Sequence, residues 1–172
     1  MFENAEIPLE DLPQAEAVEW QPLDSAYRSR LIVDRIITIA FLVAGLIGVQ
    51  FVPGVDLVRT AVLGAGVAVA AAAMLAWPGI AVPRMGYVIR DKDLVYRSGV
   101  LWRSVTAVPF NRIQHVETSS SPLDRRFGLA TLKLFTAGGA GGDLKIDGLA
   151  AGQAEQMRAL VLEKAGASIE SR

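Results

Sequence analysis

His115 is the only histidine in this sequence, and the chain contains no cysteine. On a strand His115 shares a face with Ile113 and Glu117. An imidazole beside a carboxylate is the minimum for acid/base chemistry, but a nucleophile, oxyanion donors and further ligands are all missing from its vicinity. A metal site needs more donors than this pair supplies. Arg112 and Gln114 offer the same hydrogen-bonding chemistry, so His115 reads as a residue that fixes a loop. Ser119, Ser120 and Ser121 have no base with a claim on them. The lack of cysteine removes disulfides, thiolate metal sites and a cysteine nucleophile. No catalytic residue, metal or cofactor is expected, and the chain does not read as an enzyme.

The cations suggest binding instead. Arg125 and Arg126 lie in a turn after Pro122, and with Arg112 and Arg103 they form a candidate basic patch. Arginine forks hold phosphate oxygens bidentately, so an anionic headgroup is a sensible ligand. Asp124 sits beside the pair and offers a structural ion pair of equal weight. The glycine-rich run 138–142 precedes Asp143, but no lysine or serine follows at nucleotide-binding spacing, so it reads as a hairpin linker. The candidate ligand or partner contacts are therefore Arg103, Arg112, Gln114, His115, Arg125 and Arg126. Residues 84–172 carry a net charge of +4. That charge is diffuse and no helix concentrates it, which excludes the nucleic-acid footprint.

These side chains must be positioned by a chain with a mean hydropathy of +0.36, high for a protein that lives wholly in water. Two runs account for it. Residues 36–52 and 60–77 are uncharged stretches of 17 and 18 residues, each close to the length that crosses a bilayer. Both must be helices, because two strands cannot close a barrel in lipid. Pro53 and Gly54 between them supply a tight turn. The first run lies too deep, behind too many acids, to be a cleaved signal. Arg28, Arg30 and Arg35 precede the first helix, and Arg84, Arg90, Lys92 and Arg97 follow the second. The connection holds only Arg59, near Asp56, so both termini are expected on the cytoplasmic side.

Gly64, Ala68 and Ala72 recur every four residues on the second helix, a row that lets helices approach closely. The row serves either oligomerisation or packing on the first helix of the same chain. Upstream, Trp20, Leu23, Tyr27 and Leu31 fall at spacings of three and four, which predicts a short interfacial amphipathic segment over 20–34. Residues 1–34 carry eight acids and two arginines, and residues 1–19 read as a disordered acidic tail.

From Gly86 the period changes to alternation. YVIRDKDLVYRSG predicts a hairpin, and VLWRSVTAVPF, IQHVETSSS, ATLKLFTAG and DLKIDG continue as short strands. Residues 150–165 carry an apolar stripe at Ala154, Met157, Leu160 and Val161, which predicts one amphipathic helix. The class is α+β: a transmembrane helical hairpin over 35–83, then a small sheet domain over 84–172 closed by a helix.

The runs YRSGVLWR, PFNRIQHVETSSSPLDRRFGLATLKLFTAGG and IDGLAAGQAEQMRALV resemble the bacterial pleckstrin-homology-like (PH-like) family, especially its YdbS-like members. The resemblance extends from about Trp20 to the C-terminus. It implies a bent antiparallel β-sandwich or partial barrel capped by a C-terminal helix, in a bacterial multi-pass cell-membrane protein. Expected partners are membrane lipids, a second PH-like membrane protein, or further copies of the chain. The expected role is that of an accessory or scaffold module, with anionic-lipid recognition as the alternative.

Overall fold

The computed structural model describes residues 19–51, 56–136 and 143–170. The expected tail before Glu19, the Pro53–Gly54 turn and the 138–142 linker lie outside the described residues.

Helix α1 spans Ser25–Val49 and α2 spans Leu57–Ala81. Each is opened by an aspartate cap: Asp24 Oδ1 accepts from the Ala26 N–H at 2.8 Å, and Asp56 Oδ1 accepts from the Arg59 N–H at 2.7 Å. Each has 25 residues and is therefore roughly 37 Å long, more than a hydrocarbon core of about 30 Å requires. Phe41 is 75% exposed and Val69 73%, so the apolar side chains are not those of a buried core helix.

Apart from Gly79, which faces Arg28, the less exposed positions of α2 are Thr60, Gly64, Val67, Ala71, Met74, Pro78 and Ala81, alternating steps of four and three. That is the seam of a left-handed antiparallel helix pair. A Cβ on Gly64 would lie 3.5 Å from Leu46 Cδ2, in ordinary contact with α1. Ala68 and Ala72 are exposed, because a four-residue row drifts off a 3.5-residue seam. Of the small-residue row, Gly64 lies on the seam, and Ala68 and Ala72 lie off it.

The segment 20–34 differs from the separate interfacial helix expected for it. Residues 20–24 are extended, and the helix that begins at Ser25 runs unbroken into the apolar stretch. Gln21 pairs with Tyr87 through two backbone hydrogen bonds of 2.9 and 3.0 Å, and the Asp24 N–H donates to Gly148 O at 3.0 Å. Leu23 is 7% exposed inside the sheet domain. A dry core within reach takes Leu23 in preference to the bilayer surface, since full burial of a leucine is worth about 2 kcal/mol.

Strands β1 (Gly86–Ile89), β2 (Asp93–Ser98) and β3 (Ser104–Pro109) form one antiparallel sheet in that order. Strands β4 (Ile113–Ser119), β5 (Leu129–Thr136) and β6 (Leu144–Ala150) form a second, with the short helix α3 (Pro122–Arg126) between β4 and β5. The run VLWRSVTAVPF is strand only from Ser104. Gly99–Arg103 instead form a turn, which Gly99 enters at φ +102°. Helix α4 (Ala151–Glu170) packs against β4, β5 and β6. Its buried residues are Ala154, Met157, Val161 and Ala165, and Leu160 is half-buried. Alternating inward residues of both sheets, Leu94 and Val108 from the first and Leu132, Leu134 and Ile146 from the second, join them in one core. The two sheets do not close into a barrel.

Candidate functional site

Strand directions decide which groups lie near the membrane helices. The chain leaves α2 through a 3₁₀ turn at Val82–Arg84 and enters β1 at Gly86, which pairs with Arg97 near the end of β2. The β2–β3 turn is therefore brought back to the helix end of the domain. The β4–β5 connection is there too, because Asp124 on α3 reaches Arg30 of α1. The β1–β2 turn is at the opposite end, where Asp91 approaches Lys164 near the C-terminus of α4.

At the helix end a cleft of about 320 Å³ is lined by Trp20, Pro83, Arg84, Arg97, Arg103 and the Ser98–Gly99 turn, together with Ser104 and Val105. Three arginines line it, with no carboxylate among the lining residues. Trp20 organises the first of them: the Arg97 guanidinium carbon lies 4.6 Å from the Trp20 ring centroid. Trp20 is held by the extended 20–24 segment, and Gly86 makes room for it. A Cβ at Gly86 would fall 3.0 Å from Gln21 O and 3.5 Å from Trp20 Cβ. Arg97 Nε is buried without a hydrogen-bond partner. Arg84 donates from Nη1 to the carbonyl of Ile80, capping the end of α2. A buried, unsatisfied N–H beside two further cations is chemically suited to an oxyanion with several acceptor atoms.

The four arginines named from the sequence do not form one patch. Arg103 lines the cleft. Arg125 and Arg126 are exposed on α3, at the same end of the domain. Arg112 is at the other end, since Ile113 after it pairs with Thr136 at the close of β5, whereas Arg126 shortly precedes Leu129 at its start. Eight strand residues put roughly 24 Å between those ends. Asp124 does not bridge to either neighbouring arginine. It takes Arg30 at 2.8 Å, and none of Arg103, Arg112, Arg125 and Arg126 makes a salt bridge among the described residues.

His115 and Gln114 are exposed on β4. A bulge between Ile113 and His115 slips the register by one residue, so Ile113 and Val116 both point inward. His115 therefore does not share a face with Ile113. Its ring lies 5.6 Å from that of Phe135, and Glu117 pairs with Lys133 at 3.2 Å. No group of three or more potential metal ligands occurs among the described residues.

A second cleft lies between α1 and the second sheet, lined by Tyr27, Arg30, Asp124, Lys133, Lys145 and Asp147 among others. Each of its cations has a carboxylate partner, Lys133 finding its own in Glu117 outside the lining. Arg30 pairs with Asp124, Lys145 with Asp147 at 3.0 Å, and Thr131 Oγ1 donates to Asp147 Oδ1 at 2.7 Å. Burial resists ionisation of Asp124, but hydrogen bonds from Ser121 and the charge of Arg30 outweigh it and hold the carboxyl below the usual range. Ser121 also caps α3, whose Asp124 returns the bond in a capping box. This cleft fastens the first membrane helix to the domain.

A protein-family model described as "Bacterial PH domain" matches residues 34–165. The chain belongs to the bacterial PH domain family. The match in this bacterial PH domain protein takes in most of both apolar helices, all six strands and most of α4, and it includes Arg84, Arg97 and Arg103. Trp20 and Arg30 lie outside it. The chain is also similar to the UPF0699 transmembrane protein YdbS of Bacillus subtilis (strain 168), 37% identical over 51 residues. That alignment covers 30% of this chain and 32% of the relative, so the chain spans about a third of the relative's length. No solved structure matches. The chain is thus that of a membrane protein in which two apolar helices, each long enough to cross a bilayer, precede a PH-like sheet domain. Sequence reasoning missed Arg84, Arg97 and Trp20 as a group. No local pattern links them, since Trp20 and Arg97 stand far from the apolar runs in sequence and meet only through strand pairing.

Proposed function

We propose that this protein is a membrane-anchored PH-like module that holds an anionic, phosphate-bearing lipid headgroup in the Arg84–Arg97–Arg103 cleft at the cytoplasmic face. The observation that carries this reading is that three arginines line one cleft at the helix end of the domain, without an acid among the lining residues. The tether places the cleft beside the bilayer, where the effective concentration of headgroup is high. The cytoplasmic orientation is supported by the arginines that flank the outer ends of both helices. Labelling an Asn111→Cys variant of this cysteine-free chain in intact and in opened cells tests it. Reaction with an impermeant maleimide only after opening is expected, and equal reaction in intact cells would reverse the orientation.

The headgroup reading is tested by native mass spectrometry of the full chain in mild detergent, with phosphatidylglycerol and phosphatidylcholine as competing probes. Preferential retention of phosphatidylglycerol is expected, falling about tenfold in the Arg97→Gln/Arg103→Gln variant and little in Arg125→Gln/Arg126→Gln. Equal retention of both lipids, or loss only in the α3 variant, would overturn the cleft assignment.

A second reading, association with another membrane protein or a second copy, is favoured by β3. It is the outer strand of its sheet, and five of its six residues are not buried. Such an edge accepts an added strand. Cross-linking in membranes through an Ala107→Cys variant should then yield a defined adduct.

A further inference from the structure

Leu101 and Trp102 stand at the tip of the β2–β3 turn with 74% and 85% of their surfaces exposed, and Val105 beside them is 64% exposed. The hydrophobic core is complete without them. The turn is shaped to present them. Ser98 pairs with Ser104, which leaves Gly99–Arg103 projecting past the end of the sheet. The backbone doubles back so tightly that a Cβ on Gly99 would fall 1.8 Å from Trp102 O.

This tip is on the end of the domain from which the membrane helices emerge, because Gly86 pairs with Arg97 at the base of the same turn. Arg35 and Trp77 line one shallow groove on the hairpin, a cation and an indole at a common level, as occurs at the headgroup boundary. From Trp77 to Arg84 the chain travels about 10 Å away from that level. The Gly99–Arg103 turn projects past the Gly86–Arg97 pair on that same side of the domain, back in the direction of that level. Arg97 and Arg103 flank the apolar pair, the cation-and-indole composition that favours a membrane surface over bulk water.

We propose that the Leu101–Trp102 tip inserts into the headgroup–acyl boundary of the same bilayer that the two helices cross, as a third contact that holds the PH-like domain face-down. The occupant of this apolar surface is lipid, argued from its continuity with the transmembrane hairpin. The proposal rests on the membrane-anchored reading above and is independent of whether the arginine cleft selects anionic headgroups.

The chain has three tryptophans, so a Trp20→Phe/Trp77→Phe variant of the full chain leaves Trp102 as the sole indole. It is reconstituted in phosphatidylcholine vesicles brominated at shallow or deep acyl positions. Blue-shifted emission, with stronger quenching by shallow than by deep bromines, is expected. Quenching by aqueous iodide without quenching by bromine would overturn insertion, and so would protection from both quenchers, which indicates a protein cover. If that variant does not fold, a nitroxide on Leu101→Cys with all tryptophans retained gives the same decision. Greater accessibility to oxygen than to a water-soluble nickel chelate is expected, and the reverse overturns the proposal. Because phosphatidylcholine has no net charge, failure of the anionic-lipid reading leaves this result unchanged.

Discussion

The Tyr27 ring lies directly on Gly148: a Cβ on that glycine would fall 2.3 Å from Tyr27 Cγ, and Gly148 itself has φ +74°. A residue at the foot of the first membrane helix and one near the end of the last strand thus close a contact that tolerates no side chain on the strand. Gly148→Ala meets both the ring and a left-handed backbone, at a cost of about 3 kcal/mol. Thermal unfolding in detergent should show a large fall in midpoint. Adding Tyr27→Ala should recover only part of it, since the backbone strain remains.

The Arg30–Asp124 pair is a second fastening between helix and domain. Asp124→Asn should lower stability by about 1 kcal/mol near neutral pH. The carboxyl titrates below its ordinary value of 3.8, so its stabilising contribution is present above that pH and is lost as the pH falls through the depressed value. Unfolding midpoints of the parent and the variant should therefore differ at pH 7 and converge only as the pH is taken well below 3.8.

Tyr96 behaves oppositely with pH. Burial, reinforced by the negative charge of Asp147, pushes its hydroxyl up from 10.0 to about 12. The folded state favours the neutral phenol, so the contribution is fully present below pH 10 and is lost as the pH rises toward 12. Absorbance at about 295 nm should show one more late-titrating tyrosine in the parent than in Tyr96→Phe. The parent should also lose stability above pH 10 more steeply than the variant.

Leu132 and Leu101 separate packing from surface. Leu132 is 0% exposed between the sheets, and its replacement by alanine should cost about 2–5 kcal/mol. Leu101→Ala, at an exposed turn, should leave the unfolding midpoint nearly unchanged in detergent.

Much of the architecture was legible because it rests on periodicity. Uncharged runs of bilayer length, alternating strands and the Ala154–Met157–Val161 stripe each report a local repeat that the fold retains. Helix ends were harder. The segment 20–34 reads as an amphipathic approach to the bilayer, yet from Ser25 it is continuous with α1, since an Asp24 cap and the absence of a breaker outweigh the change in composition. The amphipathic stripe correctly marked Leu23 and Tyr27 as apolar contacts, but periodicity does not say whether lipid or a protein core receives them.

The amino-acid sequence by itself determined the elements, their order and the excess of cations near the outer ends of the helices, because hydropathy, period and charge are local properties. Tertiary structure alone decided which residues meet. Antiparallel return of β2 brings Arg97 and Arg103 to Arg84, strand length carries Arg112 to the opposite end, and Asp124 chooses Arg30 over its own neighbours. Those outcomes depend on register and on the docking of a segment that precedes the first membrane helix, and both are set by burial of Leu23 and the paired sheets in one shared core.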